Sequence, residues 1–246
     1  MTGMTGSTVR FATLAAAIAV AACVPSQLSL AQRAPSAAVT GLTAAERTAG
    51  WKPLFDGRSL AGWQNYHLTG KAKGWRAVNG TLERVGAGGD LVTRGKYANF
   101  ELALDWKIWP GGNSGILYRI DDAGEATYVT GPEMQVLDDA GHADGRSPLT
   151  SAGADYGLYA APAGVVHPAG QWNSARLLVN GNHVEHWLNG KKVVEYELAS
   201  RDWEAKVQAS KFKAWPGYGR AKRGRIGLQD HGDRVAYRHI RIRVLP

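Results

Sequence analysis

From Trp51 onward the chain alternates short apolar runs with turn dipeptides. Asp56-Gly57, Asn79-Gly80, Asn180-Gly181 and Asn189-Gly190 are of the kind that closes tight hairpins. Between such breakers lie runs of strand length: 100–106, 115–120, 133–137, 175–179, 183–188, 192–196, 225–228 and 237–244. In the last, YRHIRIRV, Ile240, Ile242 and Val244 share one side and Arg and His the other, the pattern of a half-buried antiparallel strand. No stretch beyond residue 50 keeps a long helical period. Ten or more short strands in residues 51–246 predict an all-β fold of two packed antiparallel sheets, a β-sandwich or jelly roll, with no repeat and no second domain.

The first fifty residues read differently. Residues 11–22, FATLAAAIAVAA, form an unbroken apolar run that suits an export signal and is too short for a membrane span. The run ends in Val20-Ala21-Ala22-Cys23, which resembles a bacterial lipobox, and Cys23 is the only cysteine. Residues 1–22 are therefore expected to be a lipoprotein signal peptide, with Cys23 lipidated. The alternative is ordinary cleavage near Ala31. Either way the protein is expected to be exported to the periplasm or cell envelope, meeting a membrane only through a lipid anchor. Residues 23–50, rich in Ala, Ser, Thr and Pro, read as a tether with one helical turn at Thr43–Ala49.

Strand parity gathers polar groups on one face. Glu133 and Gln135 alternate with Met134 and Val136. Gly227, Gln229 and His231 alternate with Ile226 and Leu228. Asn113, Gly115 and Arg119 lie opposite Ile116 and Tyr118. An acid, amides, an imidazole and a guanidinium could thus meet on one concave sheet surface, and the neighbouring Gly115 and Gly227 suit a place where something approaches closely. A merely solvated outer face is the bland alternative. The candidate catalytic set is Glu133, His231 and Arg119. The candidate substrate contacts are Asn113, Tyr118, Gln135 and Gln229, with Trp109 and Trp215 as loop-borne sugar platforms. His186 is carried with them, although parity with Val184 and Leu188 makes it a core histidine. Of the nine tryptophans, Trp106 and Trp187 are expected to pack. His142, His167, His183 and His239 fall in no constellation, and Asp138-Asp139 reads as a turn before it reads as a calcium ligand pair.

Composition adds little to this. A net charge of +8 owes much to Lys206–Arg225, which holds seven cations and no acid and reads as a solvated loop. No nucleic-acid motif accompanies it. With one cysteine, neither a disulfide framework nor a Cys-clustered zinc site is available.

Two resemblances sharpen the reading. Glu133-x-Gln135-x-x-Asp138 resembles the Glu-x-Asp-x-x-Glu strand of laminarinase-type retaining glucanases. Here Gln replaces the central acid and the shorter Asp the last, which weakens a two-carboxylate hydrolysis. More specifically, LFDGRSLAGW (54–63), GWRAVNGTL (74–82), NFELALDWKI (99–108), GGNSGILYR (111–119), EMQVLDD (133–139), QWNSARLLVNGNHVEHWLNGKKVVEYE (171–197) and GRIGLQDHGDRVAYRHIRI (224–242) together resemble the 3-keto-disaccharide hydrolase domain family. That resemblance implies a concanavalin-like jelly roll, an exported carbohydrate-active enzyme and a substrate oxidised to a ketone at sugar position 3. Such a ketone acidifies the C–H at position 2. A base, an enolate stabiliser and an acid would then suffice for elimination of the aglycone and rehydration. On this expectation Glu133 or His231 is the base. Arg119, or a divalent ion (Ca, Mn or Zn) held by Glu133 and His231, stabilises the enolate. A non-catalytic carbohydrate-binding module and a conventional glucanase are the competing readings.

Overall fold

β-Branched and aromatic residues at alternating positions build thirteen strands among the described residues, 1–3 and 41–246 of this computed structural model. In chain order they are β1 (Lys52–Pro53), β2 (Trp63–Asn65), β3 (Trp75–Val78), β4 (Thr81–Arg84), β5 (Leu91–Thr93), β6 (Phe100–Ile108), β7 (Asn113–Ile120), β8 (Glu133–Leu137), β9 (Asn173–Asn180), β10 (His183–Leu188), β11 (Lys191–Glu197), β12 (Arg225–Leu228) and β13 (Val235–Val244). One sheet runs β11-β10-β9-β6-β13-β4-β3, with β1 joined to β13; the other runs β2-β5-β12-β7-β8. The fold is an all-β antiparallel sandwich. Asn79-Gly80 and Asn189-Gly190 close the β3–β4 and β10–β11 hairpins with positive φ at both positions, as a type I′ turn requires.

The inner faces meet over a core in which Trp63, Trp75, Trp106, Tyr118 and Tyr237 are fully buried. On β13 a bulge breaks the simple alternation. His239 takes φ +52 and the register with β6 shifts between Arg238 and Arg241, so Tyr237 joins Ile240 and Ile242 inside while Arg238 turns out to Asp105.

Among the described residues three α-helices accompany the sheets: α1 (Ala44–Thr48), α2 (Thr127–Thr130) and α3 (Arg201–Ala209). A capping box between Thr43 and Glu46 starts α1. Glu46 also pairs with Arg241 and Leu42 is buried, so residues 41–50 lie on β13. The Ser200 hydroxyl caps α3, which buries Trp203 and Val207 at i,i+4 spacing. The expected solvated loop Lys206–Arg225 is therefore a folded cover: the end of α3, a 3-10 turn at Lys211–Ala214, and the buried rings of Phe212 and Tyr218. Its lysines read as loop residues because the apolar anchors between them are few. Residues 4–40, which hold most of the expected signal peptide, Cys23 and most of the expected tether, lie outside the described residues.

Candidate active site

The polar face is real, and a glycine makes its centre. In the β7–β8 register Gly115 stands opposite Gln135 and Leu117 opposite Glu133. A Cβ added to Gly115 would fall 1.9 Å from Glu133 Oε1. The Glu133 side chain therefore crosses β7 in the space that only glycine leaves. β12 continues this row, because the Gln229 N–H donates to the Gly115 carbonyl at 3.0 Å. Gly227 has a different reason: its missing Cβ makes room for Ile120 Cδ1, 2.6 Å away, in an apolar patch with Val92 and Leu117. The face is thus polar at one end and apolar at the other.

Asn113, Glu133, Gln135, Gln229 and His231 line one cavity of about 190 Å³. On two of these lining side chains, Asn113 Oδ1 and Gln229 Oε1 are buried without a hydrogen-bond partner among the described residues. Buried polar atoms are rarely left so, and unpaired acceptors on cavity-lining side chains suit the hydroxyls of a ligand. Gln135 is more committed: its Nε2 donates to Thr150 O at 3.3 Å and its Oε1 accepts from Val136 N at 3.2 Å. His231 stands at the exposed edge, with Nδ1 3.7 Å from Asp233 Oδ2. His142, expected on the surface, presents its ring edge-on to that of His231 at 6.1 Å.

Glu133 dominates the electrostatics. Burial raises its carboxyl to about 8, the charges of Asp90 and Asp144 add to the rise, and Lys211 opposes it. Asp90, at the head of β5, accepts from Asp230 N at 2.7 Å and from the Thr127 hydroxyl; burial raises its pKa too. The wall facing this floor was not foreseen. It consists of Lys211, Phe212, Tyr128 and Tyr156. The Lys211 ammonium lies 4.5 Å from the Tyr156 ring centroid, and the Tyr156 hydroxyl donates to Asp144 Oδ2 at 3.2 Å. Tyr128 and Tyr156 stand in segments without strand periodicity, so parity gave no signal for them.

Arg119, Tyr118, His186, Trp109 and Trp215 are not in the cavity lining. A β-bulge reverses the parity at Arg119: φ is +51 and the β7–β12 register shifts, so its guanidinium reaches the carbonyls of Gly181 and Ala98. Tyr118 points into the core, to the hydroxyl of Tyr196 and, at 3.1 Å, to His186 Nε2. His186 is a core histidine. Its Nδ1–H donates to Gly153 O at 3.0 Å, and burial lowers its pKa to about 4, so the ring is neutral. Trp109 lies between Lys107 at 4.9 Å and Arg234 at 4.0 Å. Trp215 stands behind the wall, 5.4 Å from Tyr128 and 5.9 Å from Phe212. Trp106 is buried as expected, whereas Trp187 faces outward under Arg176 at 4.2 Å.

Among the described residues, one trio of metal-ligating type gathers its atoms within 4.8 Å: His183, Glu185 and Glu195. Lys192 Nζ already lies 3.2 Å from Glu185 and 2.5 Å from Glu195. Glu133 and His231 belong to no such trio among the described residues.

Comparison with known proteins accords with this geometry. A 3-keto-disaccharide hydrolase of Bacteroides thetaiotaomicron is 34% identical over 228 residues, which span 80% of this chain and 79% of that one. A Parabacteroides distasonis protein provisionally assigned as a glycosyl hydrolase superposes with a TM-score of 0.76 at 33% identity, covering 83% of this chain and 98% of that structure. A second from the same organism gives 0.63 at 30% identity, over 79% and 99%. The profile of the 3-keto-alpha-glucoside-1,2-lyase-like domain matches residues 50–243, and the chain belongs to that family.

Proposed function

We propose that this protein cleaves 3-keto-glycosides by elimination and hydration. The observation that carries the reading is Glu133, a buried carboxyl raised to about 8, laid over Gly115 beside Lys211 in a cavity that holds little more than one sugar ring. With its proton lost, such a carboxylate is a far stronger base than an exposed one. It takes the proton from C2, and the C–H electron pair becomes the enolate of the 3-ketone. The Lys211 ammonium faces the developing enolate charge, the role first expected of Arg119. The enolate then re-forms the ketone, the new C1–C2 double bond forms, and the C1–O bond breaks. His231, at the exposed edge where the aglycone leaves, gives a proton to the departing oxygen. Addition of water across C1–C2 completes a net hydrolysis. Asn113 and Gln229 offer their unpaired carbonyl oxygens to ring hydroxyls.

The test is incubation with methyl 3-keto-glucoside and, separately, with methyl glucoside. Release of 3-keto-glucose from the first alone supports the reading. Binding without release would favour a carbohydrate-binding module, the reading that the amides and aromatic wall would also serve. Loss of turnover on chelation, restored by Ca, Mn or Zn, would recast Glu133 and His231 as ligands and remove the base assignment.

We also propose, from the sequence alone, that the protein is exported and held to the cell envelope through Cys23. Cys23→Ser should move it from the membrane to the soluble fraction.

A further inference from the structure

Tyr128 is an exposed aromatic ring on a fixed mount. The residue is 45% exposed, yet it lines the cavity. The residues around it are pinned. The Thr127 hydroxyl donates to Asp90, Thr130 Oγ1 accepts from Asp121 N at 3.0 Å, and Thr130 O accepts from Gly219 N at 2.8 Å. Both threonines are buried. A four-residue helix is marginal by itself; these anchors hold α2 and aim Tyr128 outward.

The ring is also supported from behind. Tyr128 packs on Trp215 at 5.4 Å, Trp215 on Phe212 at 5.9 Å, Phe212 on Tyr218 at 4.1 Å, and Tyr218 on Trp203 at 6.0 Å. An aromatic ladder thus runs from the buried α3 face to the mouth of the cavity and ends in an open ring. Pre-organised rings of this kind contribute contact area at small entropic cost.

Cavity size says what would use it. About 190 Å³ is below the roughly 300–1,000 Å³ of pockets that enclose a drug-sized ligand. If the keto-sugar ring occupies the polar floor, the group across the scissile bond lies outside, at the mouth.

We propose that Tyr128, backed by Trp215, forms the leaving-group subsite and selects aglycones with a flat or apolar face, an aryl ring or a second pyranose, over small alkyl groups. The inference rests on the 3-keto-glycoside reading for the floor, but adds the occupant of the mouth. Offset or edge contact with one ring changes affinity by up to about tenfold.

The experiment compares kcat/KM for phenyl and methyl 3-keto-glucoside in the wild type and in Tyr128→Ala, Tyr128→Phe and Tyr128→Trp. The expected result is a phenyl-over-methyl preference that falls about tenfold in the Ala variant, chiefly through KM, and survives in Phe and Trp. An unchanged preference in the Ala variant overturns the proposal. Calorimetry with phenyl 3-keto-glucoside on Glu133→Gln and on Glu133→Gln/Tyr128→Ala gives a readout without turnover. Weaker binding of the double variant supports the subsite, and equal binding removes it. If the wild type turns over neither substrate, the reading of the floor fails while this binding comparison still decides the role of Tyr128.

Discussion

The two sheets present polar faces that look alike in the sequence and differ in one physical respect. On the outer face of the large sheet the carboxylates shown in ion pairs lie beside cations. Glu101 meets Arg176 and Arg243, Asp105 meets Arg238 and His239, and Glu185 meets Lys192. On the open face of the small sheet, Glu133 is in no salt bridge among the described residues, and two amide oxygens nearby lack partners. The acids of the first face are paired by its own side chains, although Arg243 Nε is buried there without a partner among the described residues. The second is complete only when something else supplies hydrogen bonds. Unpaired groups of that kind cost stability, and on the proposed function it is the substrate that pairs the ones lining the cavity.

The largest effects should follow from removing the unpaired acid. Glu133→Gln should lower kcat for a 3-keto-glucoside by at least about a thousandfold, since no other carboxyl lines the cavity among the described residues. In the wild type, the limb of kcat/KM set by the base should rise about tenfold per pH unit as Glu133 loses its proton, up to about pH 8. Stability should move the opposite way. The folded chain holds this proton from pH 4.5 to about 8 while the unfolded chain releases it, so the native state loses stability as pH rises through that window. The Gln variant escapes the loss. It should match the wild type below pH 4.5 and exceed it by up to about 3 kcal/mol at pH 7. Paired denaturant titrations at the two pH values read this directly. Equal stability at both would show that Glu133 is not held protonated.

The next test addresses the mount of the acid. Gly115→Ala puts a methyl group 1.9 Å from Glu133 Oε1, so the carboxyl must swing away. We expect kcat to fall about a hundredfold, because misplacement by an ångström costs that order, with the fold intact by circular dichroism. Lys211→Met should follow, with kcat down roughly ten- to a hundredfold and KM changed less, as for a cation that meets charge developed only in the transition state. A larger change in KM than in kcat would reassign Lys211 to ground-state binding.

Much of the framework was legible because its signals are local. Runs 133–137, 183–188 and 225–228 became strands with those bounds. Alternation alone brought Asn113, Glu133, Gln135, Gln229 and His231 together from three segments. It failed at Arg119 on β7, where a bulge adds a residue, since one inserted residue exchanges the two faces; on β13 it held for Ile240, Ile242 and His239 and failed at Val244, which is 59% exposed. The wall was illegible for another reason. Tyr128, Tyr156 and Lys211 come from turns and short helices whose placement depends on distant anchors, such as Asp90 for α2 and the Trp203–Tyr218–Phe212 stack for the turn that carries Lys211. No periodicity records a contact of that range. Gly115 and Gly227 were both read correctly as points of close approach; what alternation did not tell is that one makes room for an acid and the other for Ile120.

The smallest effect is expected on the satisfied face, where it serves as a control on the whole comparison. Glu101 is 5% exposed and lies between Arg176 and Arg243. Glu101→Gln keeps its shape and one acceptor oxygen but removes the charge. The arginine side chains are each about a third exposed, so water screens what remains, and a loss near 1 kcal/mol is expected. Turnover should stay within a factor of two, because this is not the face where the proposed reaction places the substrate. A fall in kcat comparable to that of Gly115→Ala would mean that the ion-paired face is coupled to the cavity through β6 and β13, and that satisfaction of charge does not separate the working surface from the structural one.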